Sequence, residues 1–127
     1  MQSTNALEEA RLTALAGYDV LDSPREEAFD RITRLVKDIF QVSMSTVTMI
    51  DGHRQWFKSR DGVSADETSR RPALCAVAIG QSEPLVVTDA RNDSRFRDNE
   101  FVVGPPHIRF YAGAQLRTPD GHAIGTL

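Results

Sequence analysis

The sequence predicts an α+β domain, a central and mainly antiparallel sheet with helices on both faces. Three observations carry that prediction. Apolar residues recur at helical spacing over residues 24 to 41. Two runs rich in Val, Ile and Thr or in aromatics, residues 43 to 50 and 53 to 59, meet at Asp51-Gly52, a hairpin signal. Side-chain character alternates from Ile108 to Leu116, the period of a strand. The chain has 127 residues, 40% of them hydrophobic and 26% charged, which suits one globular domain.

The elements follow in order. Leu7, Ala10, Leu12, Ala14 and Leu15 give a short helix over 6 to 16 that Gly17 stops. It packs either on its own domain or on a second copy. Ser23-Pro24-Arg25-Glu26 reads as a capping box for the helix at 24 to 41, whose apolar face is Ala28, Phe29, Ile32, Leu35, Val36, Ile39 and Phe40. The hairpin comes next, with Trp56 and Phe57 on opposite faces of its return strand. Residues 63 to 71 read as a polar loop, and Pro72 as the opening of a short helix from Ala73 to Ile79. Leu85 to Thr88 is a short strand, and 89 to 99 a turn-rich loop anchored by Phe96. In the strand at 108 to 116, Arg109, Tyr111, Gly113 and Gln115 share one side; Ile108, Phe110, Ala112, Ala114 and Leu116 share the other. Thr118-Pro119-Asp120-Gly121 turns into a last strand from Ala123.

Several functional classes are disfavoured. A net charge of −3 is not the footprint of a nucleic-acid binder. No apolar run approaches a membrane span, and the terminus Met1-Gln2-Ser3 onward lacks the basic and apolar regions of a signal peptide, so a cytoplasmic protein is expected. The single cysteine, Cys75, forms no internal disulfide. Its apolar neighbours favour an inert buried thiol over a redox group or nucleophile. His53, His107 and His122 lack the spacing of a helical metal site, and no metal site is expected. Asp89, Asp93 and Asp98 lie among Arg91, Arg95 and Arg97, as solvated ion pairs or as a lid over a polar ligand. Arg109 and Tyr111 line a cavity if helices cover their side of the strand, and are surface groups otherwise.

These segments together resemble the GAF domain. The resemblance rests on Arg54-Gln55-Trp56-Phe57-Lys58-Ser59, Pro84-Leu85-Val86-Val87-Thr88-Asp89-Ala90 and Asp93-Ser94-Arg95-Phe96. It also rests on Gly104-Pro105-Pro106-His107-Ile108-Arg109-Phe110-Tyr111 and the ending Asp120-Gly121-His122-Ala123-Ile124-Gly125-Thr126-Leu127. It is similar to the bacterial branch found in sensor histidine kinases and cyclic-di-nucleotide signalling proteins. Residues 1–22 then form a helix and lead-in, and 23–127 the domain.

The resemblance implies a six-stranded antiparallel sheet and a cytoplasmic regulatory role in signal transduction: sensing an unknown small molecule, forming a homodimer, or both, and biasing an output domain. It places a ligand among Arg109, Tyr111, Asp89, Arg95, Phe96 and Cys75, with no catalytic residue, no identified cofactor and no nucleic-acid or membrane partner. Where relatives often carry a His two residues after the cysteine, this chain has Val77. A ligand-free dimerisation module and a Cys75-based redox sensor or reductase are the alternatives. Relatives also complete a further strand stretch and a long helix, so an uncovered apolar helix face and an unpaired sheet edge are expected, covered by another chain or prone to aggregation.

Overall fold

The computed structural model of the chain describes residues 4–71 and 73–127. Met1–Ser3, read above as part of a leaderless terminus, and Pro72, read as opening the short helix, lie outside the described residues. The elements are α1 (Thr4–Ala16), α2 (Glu27–Phe40), β1 (Ser45–Ile50), β2 (Arg54–Asp61), β3 (Glu67–Ser69) and α3 (Leu74–Ala78). They continue with β4 (Leu85–Val87), a single 3-10 turn at Ala90–Asn92, α4 (Glu100–Val103), β5 (Tyr111–Gly113), β6 (Gln115–Arg117) and β7 (Ala123–Thr126).

The predicted α+β architecture is present, with its strands divided between two sheets. Five antiparallel strands run in the order β3-β2-β1-β7-β6, and β4 pairs with β5 in a second sheet. The long strand read at 108 to 116 serves both. Its first half pairs Tyr111 with Val87; after Ala114, which exchanges two backbone bonds with Leu127, its second half pairs with β7. The last strand lies inside the five-stranded sheet, flanked by β1 and β6, and the sheet edges are β3 and β6. β3 falls in a stretch read as loop: Glu67, Thr68 and Ser69 take strand form by pairing with Trp56, Gln55 and Arg54.

Two apolar clusters sit on the two sides. Leu15, Val47, Met49, Trp56 and Ile124 form one, with Phe29 of α2 and Leu116 packed on it. The other gathers Leu74, Ala78, Leu85, Val87, Ala90, Phe96 and Val102, with Ile108 and Tyr111. Gly125 is required where β7 meets β1, because a Cβ there would fall 2.0 Å from the Thr48 carbonyl oxygen.

Polar groups fasten the helices. Arg11 of α1 is 7% exposed and donates to the carbonyls of Ile50 at 2.6 Å and Ala123 at 3.4 Å, so one guanidinium joins the helix to two adjacent strands. Glu8 holds that guanidinium at 2.9 Å and Arg70 at 2.5 Å.

On the other helix, Thr33 contacts the Ser59 hydroxyl at 2.9 Å, and Ser59 donates to Asp30 at 2.6 Å. Lys58 is 2% exposed and donates to Ser23 Oγ at 2.8 Å and the Pro24 carbonyl at 2.6 Å, and pairs with Glu26 at 2.5 Å. The register slips between Val47 and Thr48, which pair with Ser59 and Phe57, leaving Lys58 as the extra residue of a β-bulge. That bulge lets neighbouring Lys58 and Ser59 both meet α2.

The capping box does not form. Ser23 donates to the Val20 carbonyl and accepts from Lys58, α2 starts at Glu27, and Glu26 occupies its N-cap without a side-chain cap.

The apolar face of α2 divides in two. Phe29 and Val36 are half-buried, whereas Ile32, Leu35, Ile39 and Phe40 are exposed, Phe40 by 69%. Thr33 of this helix is buried in their stead.

Two predictions follow from these fastenings. Lys58→Met keeps the bulk and removes the donor for Ser23 and Pro24; a loss of about 2 kcal/mol is expected by urea denaturation. The second concerns acid. The Arg11 hydrogen bond, with Arg70, holds the Glu8 carboxyl at about 2, against an ordinary 4.5. A depressed carboxyl pKa stabilises the fold above the unfolded value and is lost as pH falls through the folded one. The Glu8 contribution should therefore fade between about 4.5 and about 2. Urea midpoints across that window should fall less steeply in Glu8→Gln than in the parent chain.

Candidate functional site

Three of the six residues assigned to a site from the sequence come together under the two-stranded sheet. The Tyr111 hydroxyl donates to Cys75 Sγ at 3.2 Å, and Tyr111 packs on the cluster that contains the buried Phe96 ring. Cys75 sits on α3, Tyr111 on β5, and Phe96 in the segment between the 3-10 turn and α4. Tyr111 is positioned by its neighbour Gly113: a Cβ there would lie 2.3 Å from the hydroxyl oxygen, so only glycine lets the ring fold back over the strand. Burial pushes the Tyr111 hydroxyl well above its ordinary range, and the adjacent thiol adds to the shift. The phenol thus stays neutral and joins α3 to the small sheet.

The other three stand outside that cluster. Asp89 accepts from the Arg91 backbone N–H and caps the 3-10 turn, and its carboxylate pairs with the Arg91 guanidinium at 2.9 Å. That guanidinium holds the Asp89 carboxyl below its usual range. Arg95 pairs with Asp93 at 2.8 Å and lies over the Phe96 ring, 5.0 Å from its centre. Arg109 is exposed and donates to the carbonyls of Val102 at 2.9 Å and Ile108 at 3.2 Å. Its own carbonyl receives the Ala90 N–H at 2.6 Å. Asp89, Arg95 and Arg109 therefore brace the loop from 89 to 110 along its outer side.

The strand alternation has a sense that side-chain polarity does not reveal. Tyr111, Gly113 and Gln115 face inward, while Phe110, Ala112 and Ala114 are exposed. The polar residues go inside because α3 offers them partners. Gln115 Nε2 donates to the carbonyls of Ala78 at 2.8 Å, Gln81 at 3.2 Å and Glu83 at 2.6 Å. It takes up acceptors at the end of α3 and beyond, and joins them to β6. The sequence reading placed Gln115 on the face of Tyr111 and assigned it no role.

Two cavities of about 370 Å³ are lined by neither Cys75 nor Tyr111, although Ala76, next to Cys75 on α3, borders the second. One is bordered by Asp22, Ser23, Arg25, Trp56, Lys58 and Glu67, and its buried cation Lys58 is already bonded to three acceptors. The other lies at the tip of the β1–β2 hairpin, where His53, Arg70 and Arg71 converge. Among the described residues, no three His, Cys, Asp or Glu side chains gather as metal ligands, and no helix is long and apolar enough to cross a membrane.

Known proteins are similar to this chain in sequence or in fold. The chain is 38% identical over 120 residues to a cyclic di-GMP phosphodiesterase of Pseudomonas aeruginosa, across 94% of its own length and 20% of the relative's. It thus spans a fifth of that protein. Its fold is similar to the GAF domain of a phosphoenolpyruvate-protein phosphotransferase from Coxiella burnetii (TM-score 0.62, 12% identity, 98% of this chain and 77% of that one). It is also similar to a type II free methionine-R-sulfoxide reductase from Thermoplasma acidophilum (TM-score 0.60, 11% identity, 94% and 73% covered). At such identities the two structures speak for the fold alone. The GAF domain family profile matches residues 24–127, from the lead-in of α2 to the last residue of the sequence, and the chain belongs to the GAF domain family.

Proposed function

We propose that this chain is a small-molecule-sensing regulatory domain of a bacterial signalling protein, non-catalytic in itself and coupled to an output domain elsewhere in its parent. The observation that carries the reading is the Tyr111 hydroxyl. It is the polar group that joins β5 to α3 inside an otherwise apolar cluster. A ligand that takes over that hydroxyl competes with Cys75. It therefore shifts the balance between two arrangements of α3 against the small sheet. The likeness to one fifth of a cyclic di-GMP phosphodiesterase supports a signalling parent. In this reading Tyr111, Cys75 and Phe96 meet the ligand, and Asp89, Arg95 and Arg109 shape the loop that closes over it.

A second reading, dimerisation without a ligand, is favoured by the exposed stripe of Ile32, Leu35, Ile39 and Phe40 on α2. Cys75 as a redox group has less support. The thiol is buried, accepts a hydrogen bond from Tyr111, and is the only cysteine in the sequence.

Native mass spectrometry of the freshly purified chain separates the first two. Sensing predicts a species heavier than the 14.1 kDa chain by the mass of a small molecule. That species should be depleted in Tyr111→Phe, which should cost only about 1 kcal/mol of stability. Bare chain in every oligomeric state would count against it. Dimerisation predicts a ligand-free dimer that Leu35→Glu converts to monomer, with unfolding of the monomer unchanged.

A further inference from the structure

We propose that the cavity at the tip of the β1–β2 hairpin is a binding site for a phosphate group, free or carried on a small ester. The proposal is independent of the sensing assignment at Tyr111. The cavity, about 370 Å³, is lined by Gly52, His53, Arg70, Arg71 and Ala76. Its volume falls within the range of sites that hold small molecules. No carboxylate lines it, although acidic residues outnumber basic ones by 18 to 15 in the chain.

The two arginines differ in a way that suits an anion site. Arg70 is held in place: its backbone N–H donates to the His53 carbonyl at 3.1 Å, and its Nη1 donates to Glu8 at 2.5 Å and to the Asp51 carbonyl at 3.2 Å. The nearby acids are already committed. Glu8 is shared between Arg70 and Arg11, and the Asp51 carboxylate faces Arg54 at 3.4 Å. Arg71 is exposed, and among the described residues its guanidinium makes no hydrogen bond or ion pair. One cation is thus fixed, the next in sequence is available, and His53 lines the same cavity. A guanidinium fork matches two phosphate oxygens at once, and a phosphate still offers an oxygen to the imidazole.

Titration of the isotope-labelled full chain, followed by amide resonances at constant ionic strength, tests this. Pyrophosphate, inorganic phosphate and adenosine monophosphate are the probes, and chloride is the control. The expected result is saturable shifts centred on Gly52, His53, Arg71 and Ala76 with at least one phosphate probe and none with chloride. Tighter binding of the inorganic ions assigns a free anion, and tighter binding of adenosine monophosphate assigns an ester. Arg71→Ala should weaken binding roughly tenfold or more without moving the thermal unfolding midpoint, since among the described residues that side chain bonds nothing. Arg31→Ala on the exposed side of α2 should leave it unchanged. Linear, non-saturating shifts, or equal affinity in Arg71→Ala, would overturn the proposal.

Discussion

The ammonium of Lys58 sets the geometry of one side of the molecule. A lysine is almost never withdrawn from water unless its hydrogens are accepted. Here the acceptors come from the connection between α1 and α2 and from the N-cap of α2: Ser23, Pro24 and Glu26. Burying this cation therefore fixes where the connection crosses the sheet and where α2 begins. The same bulge brings Ser59 to Thr33 and Asp30. With those polar contacts made, the roll of α2 about its axis is determined. Phe29 and Val36 face the sheet, and the stripe from Ile32 to Phe40 faces outward. An exposed apolar helix face is thus a consequence of a polar anchor, not of poor packing.

A second constraint acts on the other side. One strand supplies both sheets, changing partner at Ala114. Two apolar clusters form around its halves, each with its own helices. Among the described residues, the side-chain bonds that cross from α3 and the chain after it to this strand are Tyr111 to Cys75, Gln115 to the carbonyls of Ala78, Gln81 and Glu83, and Arg117 to the Gln81 carbonyl. A fold arranged this way suits regulation, because the smaller cluster has a core of its own and few polar ties to the larger sheet.

The sequence made local regularities legible and hid long-range ones. The helical period of α2 and the Asp51-Gly52 hairpin are written in neighbouring residues, and both form. Ser23 looked like a helix cap because its spacing to Glu26 was right; a lysine 35 positions later takes that hydroxyl instead. β3 is too short and polar to announce itself, and it exists because β2 pairs with it. The alternation at 108 to 116 was visible, but its sense was not, since the partners of Tyr111 and Gln115 lie more than 30 residues away. Nothing near Arg11 marks it as a buried bridge to Ile50 and Ala123. Of the candidate site, the grouping of Cys75, Phe96 and Tyr111 came through family resemblance. The clustered Asp and Arg residues pair over two positions, a local ion-pairing pattern that sequence alone can suggest.

The amide of Gln115 has a mechanical consequence. Its nitrogen is shared by carbonyls at Ala78, Gln81 and Glu83, which lie at successive points of the chain as it leaves α3. Sliding α3 along its axis would break all of these bonds at once, whereas a tilt about its C-terminal end preserves them. The helix is therefore mounted like a lever on a pivot. The fulcrum is the residue that opens β6, and Cys75, nearer the other end of the helix, is the point on the arm that meets Tyr111 of β5.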